Sequence, residues 1–138
     1  MAKNPKTSIP ENPAGKKSRT QAATGFLRLA AAGRVDEAYG DYAAPDFRHH
    51  NPWFRGDAKS LAAGMAENAA KNPGKQLQVL RTLAEGELVA VHCRVRMNAD
   101  SPWIALIHIF RFENDRIAEL WDVSQAAPDE SPNEFGMF

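Results

Sequence analysis

Two periodicities divide the chain. Up to residue 72, apolar residues recur every three or four positions, and from Lys75 onward they alternate. Over residues 20–32, Phe26, Leu27, Leu29 and Ala30 cluster on one helical face, with Gly33 where a C-terminal cap belongs. Over residues 35–42, Val35, Ala38, Tyr39 and Tyr42 repeat that spacing until Pro45 forbids more helix. Residues 46–51 read as a short extended stretch before a Pro-Trp-Phe-Arg-Gly turn. A third helix over 59–72 sets Leu61, Met65 and Ala69 four apart, and Asn72-Pro73-Gly74 stops it. Four strands follow, over 76–84, 88–97, 103–112 and 116–124. Their joints at Glu85-Gly86-Glu87, 98–102 and Glu113-Asn114-Asp115 carry turn chemistry. Joints this short make consecutive strands antiparallel, because a parallel crossover needs about a dozen residues. The pattern predicts an α+β fold, with N-terminal helices on one face of a curved antiparallel sheet.

Alternation sorts the strand side chains onto two faces. Leu88, Ala90, His92 and Arg94 oppose Val89, Val91, Cys93 and Val95. Ile104, Leu106, His108, Phe110 and Phe112 oppose Trp103, Ala105, Ile107, Ile109 and Arg111. Ala118, Leu120, Asp122 and Ser124 oppose Ile117, Glu119, Trp121 and Val123. Because both faces of the third strand are apolar, the back of the sheet is expected to be covered, most simply by a second subunit. His92, His108 and Asp122 stand mid-strand among apolar neighbours. A buried carboxylate needs a partner, and an imidazole is the nearest candidate. Of His49 and His50, neighbours that face opposite ways, His50 is taken as inward because Asn51-Pro52 fixes the turn behind it. His49 is taken as solvent-facing, and Cys93 as a small buried apolar residue.

Composition narrows the function. The chain has 138 residues, 43% hydrophobic and 25% charged, which fits one globular domain. No apolar run approaches the ~20 residues of a membrane span, and the start has no signal-peptide h-region. One cysteine excludes an internal disulfide and suits a reducing, cytoplasmic compartment. Seventeen basic and seventeen acidic residues cancel, but unevenly. Residues 1–19 hold Lys3, Lys6, Lys16, Lys17 and Arg19 against Glu11, a net of +4, leaving −4 for residues 20–138. With Pro5, Pro10 and Pro13, that stretch reads as a basic arm ahead of the folded domain. Neither part suggests a nucleic-acid binder.

His50-Asn51-Pro52, Val91-His92-Cys93, Ile107-His108-Ile109-Phe110-Arg111, Glu119-Leu120-Trp121-Asp122-Val123-Ser124-Gln125 and the closing Met137-Phe138 resemble the SnoaL-like proteins of the nuclear-transport-factor-2-like superfamily. The nearest group is the bacterial one described as predicted aldol-condensation-catalysing. The resemblance implies a cone-shaped half-barrel with a deep apolar pocket, a homodimer joined through the sheet, and cofactor-free enolisation, aldol cyclisation or isomerisation. Asp122 resembles the acid/base aspartate of the polyketide cyclases, and His50 and His92 match recurring histidines. Leu120 stands where that group often has His, and His108 where it often has Asp.

The expected catalytic set is therefore Asp122, His50, His92 and His108. Asp122 would remove a proton beside a carbonyl, and a histidine would donate to the enolate oxygen. Asn51, Trp53, Phe54, Met65, Leu120 and Phe110 are expected to line the site of a small apolar carbonyl ligand. Three histidines and a carboxylate could also ligate a metal, but they lack tight local spacing, and no metal or cofactor is expected. The other reading of the pocket is a binding module for a hydrophobic small molecule, without turnover.

Overall fold

The computed structural model describes residues 18–138. Of the expected basic arm, only Ser18 and Arg19 fall among the described residues, and both belong to the first helix and its cap. Ser18 Oγ accepts the Gln21 N–H at 3.1 Å, and Gln21 Oε1 accepts the Ser18 N–H at 2.9 Å. This capping box starts α1 at Arg19–Ala31. Gly33, at φ +86°, ends it, and the Arg34 N–H reaches back to the Leu29 carbonyl at 2.9 Å. A residue with a Cβ would be strained at that φ. The other helices are α2 at Val35–Tyr42 and α3 at Ala58–Lys71. Asp57 caps α3 by accepting the Ser60 N–H at 2.9 Å.

Five strands follow the predicted order: β1 Ala43–His49, β2 Gln76–Glu85, β3 Leu88–Arg96, β4 Ile104–Glu113 and β5 Arg116–Ala126. They lie side by side as β1-β5-β4-β3-β2. The expectation of an antiparallel sheet holds for β2 to β5 and fails for β1, which runs parallel to β5, so the sheet is mixed. The long excursion through α3, β2, β3 and β4 supplies the crossover that a parallel neighbour requires. β1 also starts at Ala43, earlier than expected, because Pro45 ends a helix yet is tolerated on an edge strand.

The helices pack on one face of the sheet, and the core lies between them. Val89, Val91, Cys93, Phe110, Phe112 and Leu120 are buried beneath Phe26 of α1. The Phe26 ring meets Phe110 edge-on at 6.0 Å and Tyr39 at 5.1 Å. α1 packs on β2 and β3, whereas α3 packs on α1, α2 and β1. On that inner surface Leu106 of β4 and Asp122 of β5 are only partly buried. Among the described residues no helix is long and apolar enough to cross a membrane.

Two irregularities set which side chains face the helices. The β4–β5 hairpin turns on Asn114 and Asp115, both at positive φ, which matches the twist of the strands. The register then shifts: Phe112 faces Ile117, but Arg111 faces Glu119, so Ala118 is an extra residue in β5. Ile117 therefore joins the inner face, contrary to simple alternation, and is fully buried. A similar shift in β2 makes Leu80 the extra residue and places Arg81 beside His92.

Replacing Phe110 with Ala is expected to cost about 3–5 kcal/mol in chemical denaturation. Leu83→Ala, at a side chain 71% exposed on the opposite face, is expected to change stability by less than about 0.5 kcal/mol.

Candidate functional site

The register divides the predicted site residues between the two faces. His108 pairs directly with Asp122 across β4 and β5, and both lie on the inner face. Opposed side chains on one face bring their Cβ atoms to about 5 Å. Phe110 and Leu120 pair next to them and are fully buried in the wall below. Met65 of α3 lies above the core, where its sulfur receives the Tyr39 hydroxyl at 3.6 Å.

Asn51 reaches the same place from the loop after β1. Its Oδ1 accepts the Trp53 N–H at 3.0 Å, which turns Nδ2 toward Asp122, at 3.4 and 3.3 Å from the two carboxylate oxygens. His49 holds this loop. Nε2 donates to the Arg55 carbonyl at 2.6 Å, and Nδ1 accepts the Asn51 N–H at 3.1 Å. With both nitrogens committed in this way, the ring is the neutral Nε2–H tautomer.

Three expectations are corrected here. His49, and not His50, looks inward: it is 5% exposed and aligned with Leu120. Phe47 carried the signal, since alternation through Arg48 puts His49 on the same side as that buried ring. His50 lies on the outer face, stacked on Trp121 at 5.0 Å and donating to Glu119 at 2.6 Å. His92 is also on the outer face, paired with Ile107 and accepting a hydrogen bond from Arg81. The expected convergence of His50 and His92 with Asp122 does not occur, because the sheet separates them. Among the described residues no three His, Cys, Asp or Glu side chains are grouped to hold a metal ion. Trp53 is 84% exposed and forms no wall. Phe54 is partly exposed, with its ring laid over Gly64 of α3, where a Cβ would collide with it.

Burial governs the electrostatics of the inner site. His108 is pushed down to about 4 by loss of solvent, which the Asp122 charge opposes and the Lys75 charge reinforces. Its imidazole is therefore neutral at pH 7. Nδ1 lies 3.8 Å from the Cys93 sulfur, a thiol that burial raises to about 11 and keeps protonated. A thiol donating to Nδ1 leaves the proton of His108 on Nε2. Sequence reasoning passed over Lys75, which ends the turn before β2 and places its ammonium under α3, 2.5 Å from Asn68 Oδ1.

The outer face carries a different kind of chemistry. Glu119, 6% exposed, is clamped by Arg48 at 3.0 Å, Arg111 at 3.0 Å and His50. Hydrogen bonds from Arg48 and His50 lead in pulling its carboxyl down to about 2. The C-terminal tail crosses this face and borders an open cleft of about 770 Å³ whose lining includes His92, Leu106, Ile107, Val123, Ser124 and Met137. Beside it Arg94 lies over the rings of Trp103 and Phe138, at 4.2 and 5.2 Å.

Residues 23–120 match the family described as SnoaL-like domain. Among solved structures, an NTF-2-like protein of unknown function from Burkholderia xenovorans superposes with a TM-score of 0.67 at 19% identity, over 83% of this chain and 88% of that one. IdmH from Streptomyces antibioticus, a candidate polyketide cyclase, gives 0.63 at 18% identity, over 77% of this chain and 91% of its own. TsrD from Streptomyces laurentii gives 0.59 at 20% identity, over 75% and 87%. At these identities the likeness establishes the fold. No curated protein matches the sequence.

Stability should depend on pH in two windows. The unfolded chain protonates its histidines near 6.5, while His108 in the fold resists until about 4. Between those values the unfolded chain binds more protons, so stability falls as pH falls, by roughly 3 kcal/mol in all. Glu119 adds a second loss from its unfolded value of 4.5 down to about 2. Urea midpoints measured from pH 8 to 3 should show both, and His108→Gln should remove only the first.

Proposed function

We propose, since the chain belongs to the SnoaL-like domain family, that its inner pocket performs cofactor-free acid/base chemistry on a small, largely apolar carbonyl compound. The observation that carries this reading is the direct pairing of His108 with Asp122 on the inner face, with Asn51 donating to the carboxylate. Asp122 takes a proton from the carbon beside the carbonyl. The electron pair moves to the carbonyl oxygen, and His108 donates from Nε2 to that oxygen as its charge grows. Aldol condensation, cyclisation and isomerisation all begin with this step. A neutral imidazole suits the donor role, because it stabilises the enolate without having to surrender a proton first. Asn51 acts on Asp122 by fixing its orientation, and His49 acts on Asn51 by fixing the loop. Leu106 supplies apolar surface, backed by the buried Phe110 and Leu120. The assignment of IdmH as a candidate polyketide cyclase supports the same class of chemistry.

The test is solvent deuterium exchange at the carbon beside the carbonyl of 2-indanone, followed by proton NMR. The protein should accelerate exchange over buffer, and Asp122→Asn should remove about 10²–10⁴-fold of that acceleration. Equal rates for the two proteins would dismiss Asp122 as the base. Retained ligand binding with no acceleration by either would favour the binding-module reading.

The outer face supports a homodimer. Ile107, Ile109 and Val123 remain 41%, 37% and 66% exposed in adjoining rows, and the tail covers only one end of them. Ile109→Glu is expected to give a folded monomer in light scattering where the parent chain is a dimer.

A further inference from the structure

Lys75 is a charged group that the proposed chemistry leaves unused. Its backbone closes the turn after α3, with the N–H on the Asn72 carbonyl at 3.0 Å. Its side chain turns back beneath that helix. Asn68 follows Leu61 and Met65 at helical spacing on the face of α3 that looks toward the sheet. The bond from Lys75 Nζ to Asn68 Oδ1 therefore holds the ammonium beneath α3, on the inner side of the sheet, where its charge acts on the His108 ring.

The partners of this ammonium are unusual for the molecule. Lys71 pairs with Glu67 at 2.8 Å, Arg34 with Glu37 at 2.7 Å, and Arg48 and Arg111 share Glu119. Lys75 is more enclosed than these, yet among the described residues no carboxylate lies within ion-pair distance of it. An ammonium has three donors, and the acceptor found for Lys75 is one neutral amide oxygen. Enclosing a cation without a counter-charge is unfavourable, and burial accordingly lowers its affinity for the proton. An anionic oxygen arriving with a ligand would supply the missing charge and satisfy the remaining donors.

We propose that Lys75, with Asn68, forms a carboxylate-binding subsite in the roof of the inner pocket, so that the ligand is a keto carboxylate. The proposal rests on the acid/base reading of the same pocket and names its substrate class. The carboxylate sits on Lys75 and the apolar body lies along Leu106. The carbonyl oxygen meets His108 Nε2, and the adjacent C–H faces Asp122. When that C–H bond breaks, the proton passes to the Asp122 carboxylate and the electron pair to the carbonyl oxygen. The ligand then carries two negative charges, of which Lys75 balances one.

The probe is 3-benzoylpropionate, compared with its methyl ester and titrated into the full chain while NMR follows the Lys75 side chain and the His108 ring. The acid should bind about tenfold more tightly than the ester and move both signals. Lys75→Met should abolish that preference and leave ester affinity unchanged, and Lys75→Arg should keep most of it. Equal affinity for acid and ester would overturn the proposal. So would a preference that survives Lys75→Met, or silence of both signals at millimolar acid. These readouts need no turnover. Asp122→Asn should keep the preference while losing exchange, so failure of the subsite and failure of the acid/base step give different results.

Discussion

β5 carries one residue more than β4 between the Asn114–Asp115 turn and the pocket, and that residue is Ala118. The constraint is geometric. Side chains alternate along a strand, so one inserted residue exchanges the faces of everything beyond it. Had the register continued unshifted from Phe112 and Ile117, His108 would face Trp121, and Asp122 would lie beside Ile107 on the outside. With the bulge, Asp122 looks into the pocket, while Trp121 looks outward and stacks on His50. The parallel pairing of β1 depends on the same strand. His49 aligns with Leu120, so the chain two residues later passes Asp122, where Asn51 can bond to it.

What results is an inner cluster whose parts are held in sequence. His49 pins the loop, the loop sets the Asn51 amide, and the amide sets the carboxylate. His108 is governed by the medium around it. Packed against Phe110 and Cys93, it stays neutral in a place where an imidazolium would be poorly solvated. The helical side is built differently, with α3 leaning on β1 and on the other helices. Lys75 lies beneath that helix because the Asn72-Pro73-Gly74 turn brings the chain back under α3 before β2 begins.

Much of this was legible in the chain. The three helices and four long strands follow from spacing and turn chemistry, and their bounds shift by only a residue or two. The valine row of β3 and the His108, Phe110, Phe112 row of β4 identify the buried face directly. The reading failed where register mattered more than period. Alternation inside one strand cannot say which row of the next strand it joins, so His92 seemed to share a face with His108, although Val91 is its true neighbour. The choice of His50 over His49 neglected Phe47, which already marked the inward side. Ile117 was misplaced because nothing in its local sequence announces a bulge. Lys75 was missed because its setting depends on Asn68, a contact across a turn, and no pattern of apolar residues encodes it.

The Glu119 cluster has a consequence for how such a protein can change over generations. Its Arg48, His50 and Arg111 partners fasten the edge strand to the sheet from the outside. The side chains of Leu120 and Asp122 point the other way and do not touch that cluster. A substitution of the Asp122 carboxylate therefore leaves the bonds from Arg48, His50 and Arg111 to Glu119 in place. Along this strand the ion-pair framework and the proposed chemistry occupy opposite faces, so a change in one need not disturb the other.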